Sequence, residues 1–264
     1  RVFNDATTSA LLTDNDIGVG VIRAKSSGII AGVNIALAVF HRLDGSVELS
    51  QSIDDGDTLR PGAEIARIYG RVSTILRGER TALNFLQRMS GIATATNEYV
   101  EAVKDFPAQI VDTRKTVPGL RYLDKYAVRA GGGKNHRMDL SDGVLIKDNH
   151  IELLRHRGVG LVQALERAMG EARHTLKVEV EINNLEQLAE VLKSGAHIVM
   201  LDNMSIENMV KAVGIVDGRA VLEASGGITI ENVRDVAATG VDLISIGALT
   251  HSVTAMDISL DLET

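Results

Sequence analysis

In the second half of the chain, short apolar runs repeatedly end in residues that carry charge or expose backbone. QIV at 109–111 runs into Asp112-Thr113-Arg114-Lys115, and GVLI at 143–146 into Lys147-Asp148-Asn149-His150. TLKVEVEI at 175–182 holds Glu181 near its end, and HIVML at 197–201 leads to Asp202-Asn203. AVLEA at 220–224 leads to Ser225-Gly226-Gly227, and DLISI at 242–246 to Gly247-Ala248. One such junction is ordinary. Their repetition points to a single site assembled from several strand ends.

The residue types narrow the chemistry. Arg114, Lys115, His136, Arg137 and Lys147 suit a substrate rich in acid groups, because arginine offers a planar fork to a carboxylate and lysine a compact charge. A solvated basic loop and a structural role for His136 are the plainer alternatives; for His150 and His251 the structural role weighs more. The turns Ser225-Gly226-Gly227 and Gly247-Ala248 let backbone N–H groups approach a phosphate, and a helix starting there adds favourable potential. Glycine also serves ordinary tight turns. Glu181 and Asp202 offer oxygen ligands to a hard cation such as Mg²⁺, which often takes few carboxylates plus substrate phosphates. They fit equally well as partners of Lys177 and Lys147. Glu179 competes with Glu181 but lies two residues deeper in its strand. The glycines of GGGKNHR at 131–137 allow close approach to a ligand or, equally, a flexible surface loop.

These residues need a scaffold that gathers strand ends. Amphipathic segments at 159–170, 185–194, 205–213 and 229–239 separate the later strands, which predicts right-handed βαβ units and a parallel sheet. Lys177, Glu179 and Glu181 share one face, opposite Val178, Val180 and Ile182. A barrel interior accommodates such a polar row better than a doubly wound sheet does, and barrels gather active sites at the C-terminal ends of their strands. The first part of the chain differs. Strand-like pieces at Gly28–Phe40, Ser46–Gln51 and Glu64–Gly70, punctuated by LDGS, DDGD and RPGA, predict an antiparallel sheet. From Glu79 to Lys104 the pattern turns helical, with Leu83, Leu86, Met89 and Ile92 at spacings of three. The expected division is 1–83 and 84–252, with 253–264 a candidate to rejoin the first domain.

Composition sets outer limits. The chain of 264 residues has room for a barrel and a smaller companion. It has no Trp and few aromatics, so the core must be aliphatic. It has no Cys, which rules out disulfides, a thiol nucleophile and a thiolate metal site, and fits a reducing, cytoplasmic setting. A net charge of −7 argues against general nucleic-acid binding. That average hides an island: residues 112–147 hold eight Lys/Arg against four Asp/Glu, whereas the remainder holds 20 against 31. No apolar run is long enough to span a membrane. The chain opens on Arg1, not Met, which suggests a trimmed start.

Longer stretches resemble the quinolinate phosphoribosyltransferase family, the decarboxylating nicotinate-nucleotide pyrophosphorylases. They are ERTALNFLQRMSGIATAT at 79–96, DTRKTVPGLRYLDKYAVRAGGGKNHR at 112–137, LIKDNHI at 145–151 and VEVEINNLEQ at 178–187. MLDN at 200–203, EASGGIT at 223–229 and SIGALTHS at 245–252 follow in order, and DATTSALL is a weaker N-terminal match. The resemblance implies an open (β/α) barrel of about seven parallel strands behind an N-terminal α/β sandwich. It implies a homodimer in which Arg80 serves the partner's active site. Thr113, Arg114, Lys115, His136, Arg137 and Lys147 would line the site for quinolinate and phosphoribosyl pyrophosphate. Glu181 and Asp202 would face the ribose hydroxyls and Mg²⁺. Ser225, Gly226, Gly227, Gly247 and Ala248 would hold the 5′-phosphate, with His251 nearby. Lys115, Lys147, Glu181 and Asp202 would carry the catalysis. The nearest rival is a related phosphoribosyltransferase of different base specificity, against which GLR after TVP and the intact NHR speak. A barrel isomerase or aldolase acting on a sugar phosphate would need a Schiff-base lysine, for which Lys147 is the candidate. A phosphate-ligand sensor is the non-enzymatic alternative.

Overall fold

The computed structural model describes residues 5–263, so the trimmed start inferred at Arg1 lies outside them. In chain order the first elements are α1 (Ala6–Leu11), β1 (Ile17–Ala24), β2 (Gly28–Ile29), α2 (Val33–Leu43), β3 (Glu48–Gln51), β4 (Thr58–Leu59), β5 (Glu64–Arg71) and α3 (Val72–Ala102). Then come β6 (Gln109–Val111), α4 (Arg121–Ala130), β7 (Val144–Ile146), α5 (Asp148–His156), α6 (Leu161–Glu171), β8 (Val178–Ile182) and α7 (Leu185–Ser194). The last are β9 (Ile198–Asp202), α8 (Ile206–Val216), β10 (Val221–Ser225), α9 (Val233–Ala238), β11 (Leu243–Ser245), α10 (Ala248–His251) and β12 (Ile258–Glu263). Two compact units result. One runs to Asn97 and takes in Tyr122–Gly132 and the segment from Ser252 onward; the other holds Glu98–Arg121 and Gly133–His251. The division expected near residue 83 falls inside the continuous helix α3.

The first unit is built on an antiparallel sheet of order β12-β1-β5-β3. Val21 of β1 lies opposite Arg67 of β5 on one side and Asp261 of β12 on the other. Ile22, Ile65 and Ile68 of this sheet join Phe40 of α2 and Ile75, Leu83 and Leu86 of α3 in one buried cluster. Each such side chain contributes roughly 1.5–3 kcal/mol when fully removed from water. The segment Gly28–Phe40 is not one strand, as its sequence first reads, but a two-residue strand followed by helix α2. Its buried residues Val33, Ala36, Leu37 and Phe40 have helical spacing. The helix start is capped from a distance: the Asp55 carboxylate accepts the backbone N–H groups of Gly32 at 2.9 Å and Val33 at 3.0 Å. No local signal could disclose that cap.

The second unit holds a parallel sheet of order β6-β11-β10-β9-β8-β7, which leaves β6 and β7 at opposite edges. One short segment links those edges. Lys134 forms a parallel bridge with Val111 of β6, and the Arg137 guanidinium donates to the Gly143 carbonyl, next to β7, at 3.2 Å. Between them His136 reaches Glu179 of β8 and Glu223 of β10. The segment therefore lies across the concave face and draws the sheet into an open barrel. Six strands and a one-residue bridge stand where about seven strands were expected, because the glycine-rich run before Lys134 supplies a single pairing, not a ladder. All five residues of β8 are buried. Its valines and isoleucine face one way and Glu179 and Glu181 the other, as period two requires. No helix among the described residues is long and apolar enough to cross a membrane.

Candidate active site

The C-terminal ends of the barrel strands surround a cavity of about 820 Å³. Asp112, fully buried just past β6, ties the two basic loops together. Its Oδ1 accepts the His136 backbone N–H at 2.8 Å, and its Oδ2 accepts from Asn135 Nδ2 at 2.7 Å. Thr113 Oγ1 accepts the Lys115 backbone N–H at 3.1 Å, and Thr250 Oγ1 donates to the Lys115 carbonyl at 2.9 Å. Arg121 Nε donates to Thr116 Oγ1 at 3.0 Å, bracing the same loop. Within this frame Arg114 Nε is buried with no hydrogen-bond partner. A buried unmet donor costs about 1–3 kcal/mol, which an anionic ligand would return. Burial pushes the Arg137 guanidinium below its usual range, and the neighbouring Arg114 charge adds to this while Glu179 opposes it.

Across the cavity, Lys147 Nζ donates to Glu181 Oε2 at 3.0 Å. Asp202 closes β9, and Asn203 after it adopts a left-handed conformation with φ of 52°. Asn203 Nδ2 donates to Asp202 Oδ2 at 2.9 Å, and its backbone N–H donates to the Ser225 carbonyl at 2.8 Å. Gly226 has φ of 89°, and a Cβ there would collide with Asn203 Oδ1. Both the backbone and the space therefore demand glycine. A Cβ on Gly247 would lie 3.0 Å from Lys115 Cδ and 3.1 Å from His251 Nε2, so that turn is where two cavity side chains close in.

The Quinolinate phosphoribosyl transferase N-terminal domain model matches residues 5–90, and the corresponding C-terminal domain model matches residues 92–261. A probable nicotinate-nucleotide pyrophosphorylase [carboxylating] of Bacillus subtilis is 43% identical, covering 98% of this chain and 88% of its own length. The nicotinate-nucleotide pyrophosphorylase [carboxylating] of Mycobacterium leprae is also 43% identical, over 98% of this chain and 91% of its own. The crystal structure of NadC from Streptococcus pyogenes superposes with a TM-score of 0.94 at 38% identity, covering 98% of this chain and 90% of that one. The chain belongs to the quinolinate phosphoribosyltransferase family.

The barrel residues of the family pattern converge. Thr113, Arg114, Lys115, His136, Arg137, Lys147, Glu181, Asp202, Ser225, Gly226, Gly227, Gly247, Ala248 and His251 all line the one cavity. Arg80 is not among its lining residues; its side chain is 70% exposed on α3, 3.5 Å from Glu79. His150 is a helix cap, its Nδ1 accepting the Lys147 backbone N–H at 3.0 Å. One expectation about the turns needs correcting. Ser225-Gly226-Gly227 does not run straight into a helix, since α9 begins only at Val233. The intervening loop is closed by Asn232, whose Nδ2 donates to the Gly227 carbonyl at 3.0 Å and whose Oδ1 accepts the Thr229 N–H at 2.9 Å. Gly247 does lead directly into α10, a single turn.

The cavity also takes in Asn203, already noted at its strand end, and Leu145, Met200, Glu223, Ile228, Thr229, Ser245 and Ile246, which sequence reasoning passed over. Leu145, Met200, Glu223 and Ser245 each stand two residues before a residue already singled out. Applying period two to every strand, not to β8 alone, would have found them. Glu223 completes a cluster with His136 and Glu179 whose candidate ligand atoms lie within 4.8 Å of one another. His136 Nδ1 accepts the Arg137 backbone N–H at 2.8 Å, so Nε2 carries the ring proton and gives it to Glu179 Oε2 at 3.0 Å. A ring nitrogen that holds its proton has no lone pair for a metal. Glu181 and Asp202 fit a cation better: they are hard oxygen donors on adjacent strands, each with one oxygen engaged by a neighbour and the other available.

Proposed function

We propose that this chain transfers the phosphoribosyl group of phosphoribosyl pyrophosphate to the ring nitrogen of quinolinate, releasing pyrophosphate and CO₂ and giving nicotinate mononucleotide for NAD biosynthesis. The observation that carries the reading is the convergence of the family's charged barrel residues and glycine turns on one cavity. Both substrates are polyanions. Unit charges 4 Å apart interact by about 4 kcal/mol at an effective dielectric of about 20, so several cations both bind the substrates and stabilise departing pyrophosphate. Arg114, Arg137, His136 and Lys147 hold the two carboxylates of quinolinate. Lys115 stabilises the pyrophosphate as it leaves, and the turns at Ser225–Gly227 and Gly247–Ala248, with His251, hold the 5′-phosphate.

The ring nitrogen donates its pair to the anomeric carbon, and the carbon–oxygen bond to pyrophosphate breaks with its pair on oxygen. The adjacent carbon–carboxylate bond then breaks, CO₂ departs, the electron pair stays on the ring carbon beside the cationic nitrogen, and a proton takes the place of CO₂ there. Glu181 and Asp202 position the ribose hydroxyls and would hold Mg²⁺, which when bound screens the charge of the pyrophosphate. The chain works as a homodimer, in which Arg80 reaches the partner's site. The reaction belongs to the cytoplasm and needs neither nucleic acid nor membrane.

The deciding experiment follows ring-labelled and carboxyl-labelled quinolinate. One nicotinate mononucleotide, one CO₂ and one pyrophosphate per turnover are expected. Quinolinic acid mononucleotide as the stable end product would remove decarboxylation from the reading. Full activity in excess chelator would remove Mg²⁺.

A further inference from the structure

We propose that Glu223 is a catalytic acid of this reaction, holding the proton that takes the place of CO₂ on the ring carbon. The inference rests on the transfer and decarboxylation reading above. Glu223 lies on β10, two residues before the Ser225 turn, and lines the cavity while remaining 0% exposed. Neither of its carboxyl oxygens has a hydrogen-bond partner. His136 Nε2 lies 3.6 Å from Glu223 Oε2, but its proton is directed to Glu179 Oε2, 3.0 Å from that nitrogen. The Ser245 hydroxyl nearby donates to the Ala224 carbonyl at 3.3 Å. Its surroundings thus do little to stabilise an ionised Glu223, and an unpaired buried carboxylate is strongly disfavoured against its neutral acid. Burial raises the Glu223 carboxyl to about 7, the Glu179 charge adds to the rise, and His136 and Ser245 oppose it. Glu181 and Asp202 differ, each having a donor of its own in Lys147 and Asn203.

The chemistry needs such a group. When the carboxylate beside the ring nitrogen leaves, the carbon–carbon bond breaks and its electron pair stays on the ring carbon. That carbanion recaptures CO₂ unless a proton arrives first. The Glu223 O–H bond breaks, its pair remains on oxygen, and the proton forms the new C–H bond. Glu223 is left as a buried carboxylate, which takes a proton back from water as products depart.

Single-turnover measurements on the full chain with both substrates and Mg²⁺ test this, reading pyrophosphate and CO₂ separately. Glu223→Gln keeps the shape and neutrality of the acid but has no proton to give. We expect pyrophosphate release within a fewfold of wild type, while CO₂ release falls by about 10²–10⁴-fold, the usual share of a general acid. Quinolinic acid mononucleotide should accumulate in the quench. A parallel fall in both products, or no fall in CO₂ release, overturns the proposal. Glu223→Asp is the second variant, and it decides the matter should the glutamine form fail to fold. It keeps an acid, set back by one methylene, so CO₂ release should slow with pyrophosphate release spared and the mononucleotide intermediate visible. Unchanged CO₂ release, or equal slowing of both products, counts against Glu223. A wild-type enzyme that makes no nicotinate mononucleotide would instead sink the reading beneath it.

Discussion

Glu181 and Glu179 stand two residues apart on one strand and face the same way, yet they live in different chemistry. Glu181 meets Lys147 near the cavity mouth, where the lysine side chain is 46% exposed. Glu179 lies deeper, against the His136 imidazole and a second buried carboxyl. The mouth pair joins a half-exposed cation to a buried anion, and a substrate anion can exchange for Glu181 at the lysine. The deep group holds two carboxyls against one donated proton, so the balance is met by a carboxylic acid. One turn of the β pleat separates a site for binding charge from a site for storing a proton. Depth within the barrel, more than residue type, divides those tasks.

The largest effect should come from breaking the mouth pair. Lys147→Ala removes one of the cations proposed to hold the quinolinate carboxylates, and we expect kcat/KM to fall by about 10²–10³-fold. Arg80→Ala should be as damaging if a second cation closes that mouth from the partner. Mixed dimers of the two variants should recover roughly one working site; no recovery in verified mixed dimers would take Arg80 out of the partner's site. Next come Glu181→Ala and Asp202→Ala, which should weaken phosphoribosyl pyrophosphate binding more than quinolinate binding by titration calorimetry. Loss of quinolinate binding alone would reverse their assignment. Asn203→Ala removes the amide that orients Asp202, and should cost about 10–100-fold in Mg²⁺-dependent phosphoribosyl pyrophosphate affinity, as outer partners of metal ligands commonly do. The smallest effect concerns the deep group. The unfolded chain releases the Glu223 proton at the ordinary glutamate value of 4.5, the folded chain at about 7. Stability from this group is therefore full below pH 4.5 and declines as pH rises to about 7. Thermal unfolding between those values should show the decline, and Glu223→Gln should flatten it.

Much of the site is legible in the sequence because strand ends are short, apolar and followed at once by their functional residues. The period-two pattern of β8 marks the barrel interior, and the matching family motifs name residues that line one cavity. What stayed hidden depends on long-range partners. Helix α2 is started by Asp55, 22 and 23 residues from the groups it caps. Helix α4 lies inside the basic run, where Asp124 is fully buried and paired with Arg88, 36 residues away. Glu223 reads as a strand residue like its neighbours until the fold sets Glu179 and His136 beside it. The closing segment of the barrel was visible only as a glycine-rich loop.

That closing segment, Lys134–Arg137, has a consequence for how the protein tolerates change. Glycine-rich stretches ordinarily accept insertions and serve as cutting and grafting points. Here the run that looks most permissive is the seam of the barrel, pinned by Asp112 on one side and the Gly143 carbonyl on the other. A single inserted residue would part the seam and misplace His136 and Arg137 together. A library of insertions along the chain should therefore show its deepest intolerance at 134–137, while the exposed loop at Gly158–Gly160, where added side chains meet nothing within 4 Å of either glycine, should accept them freely.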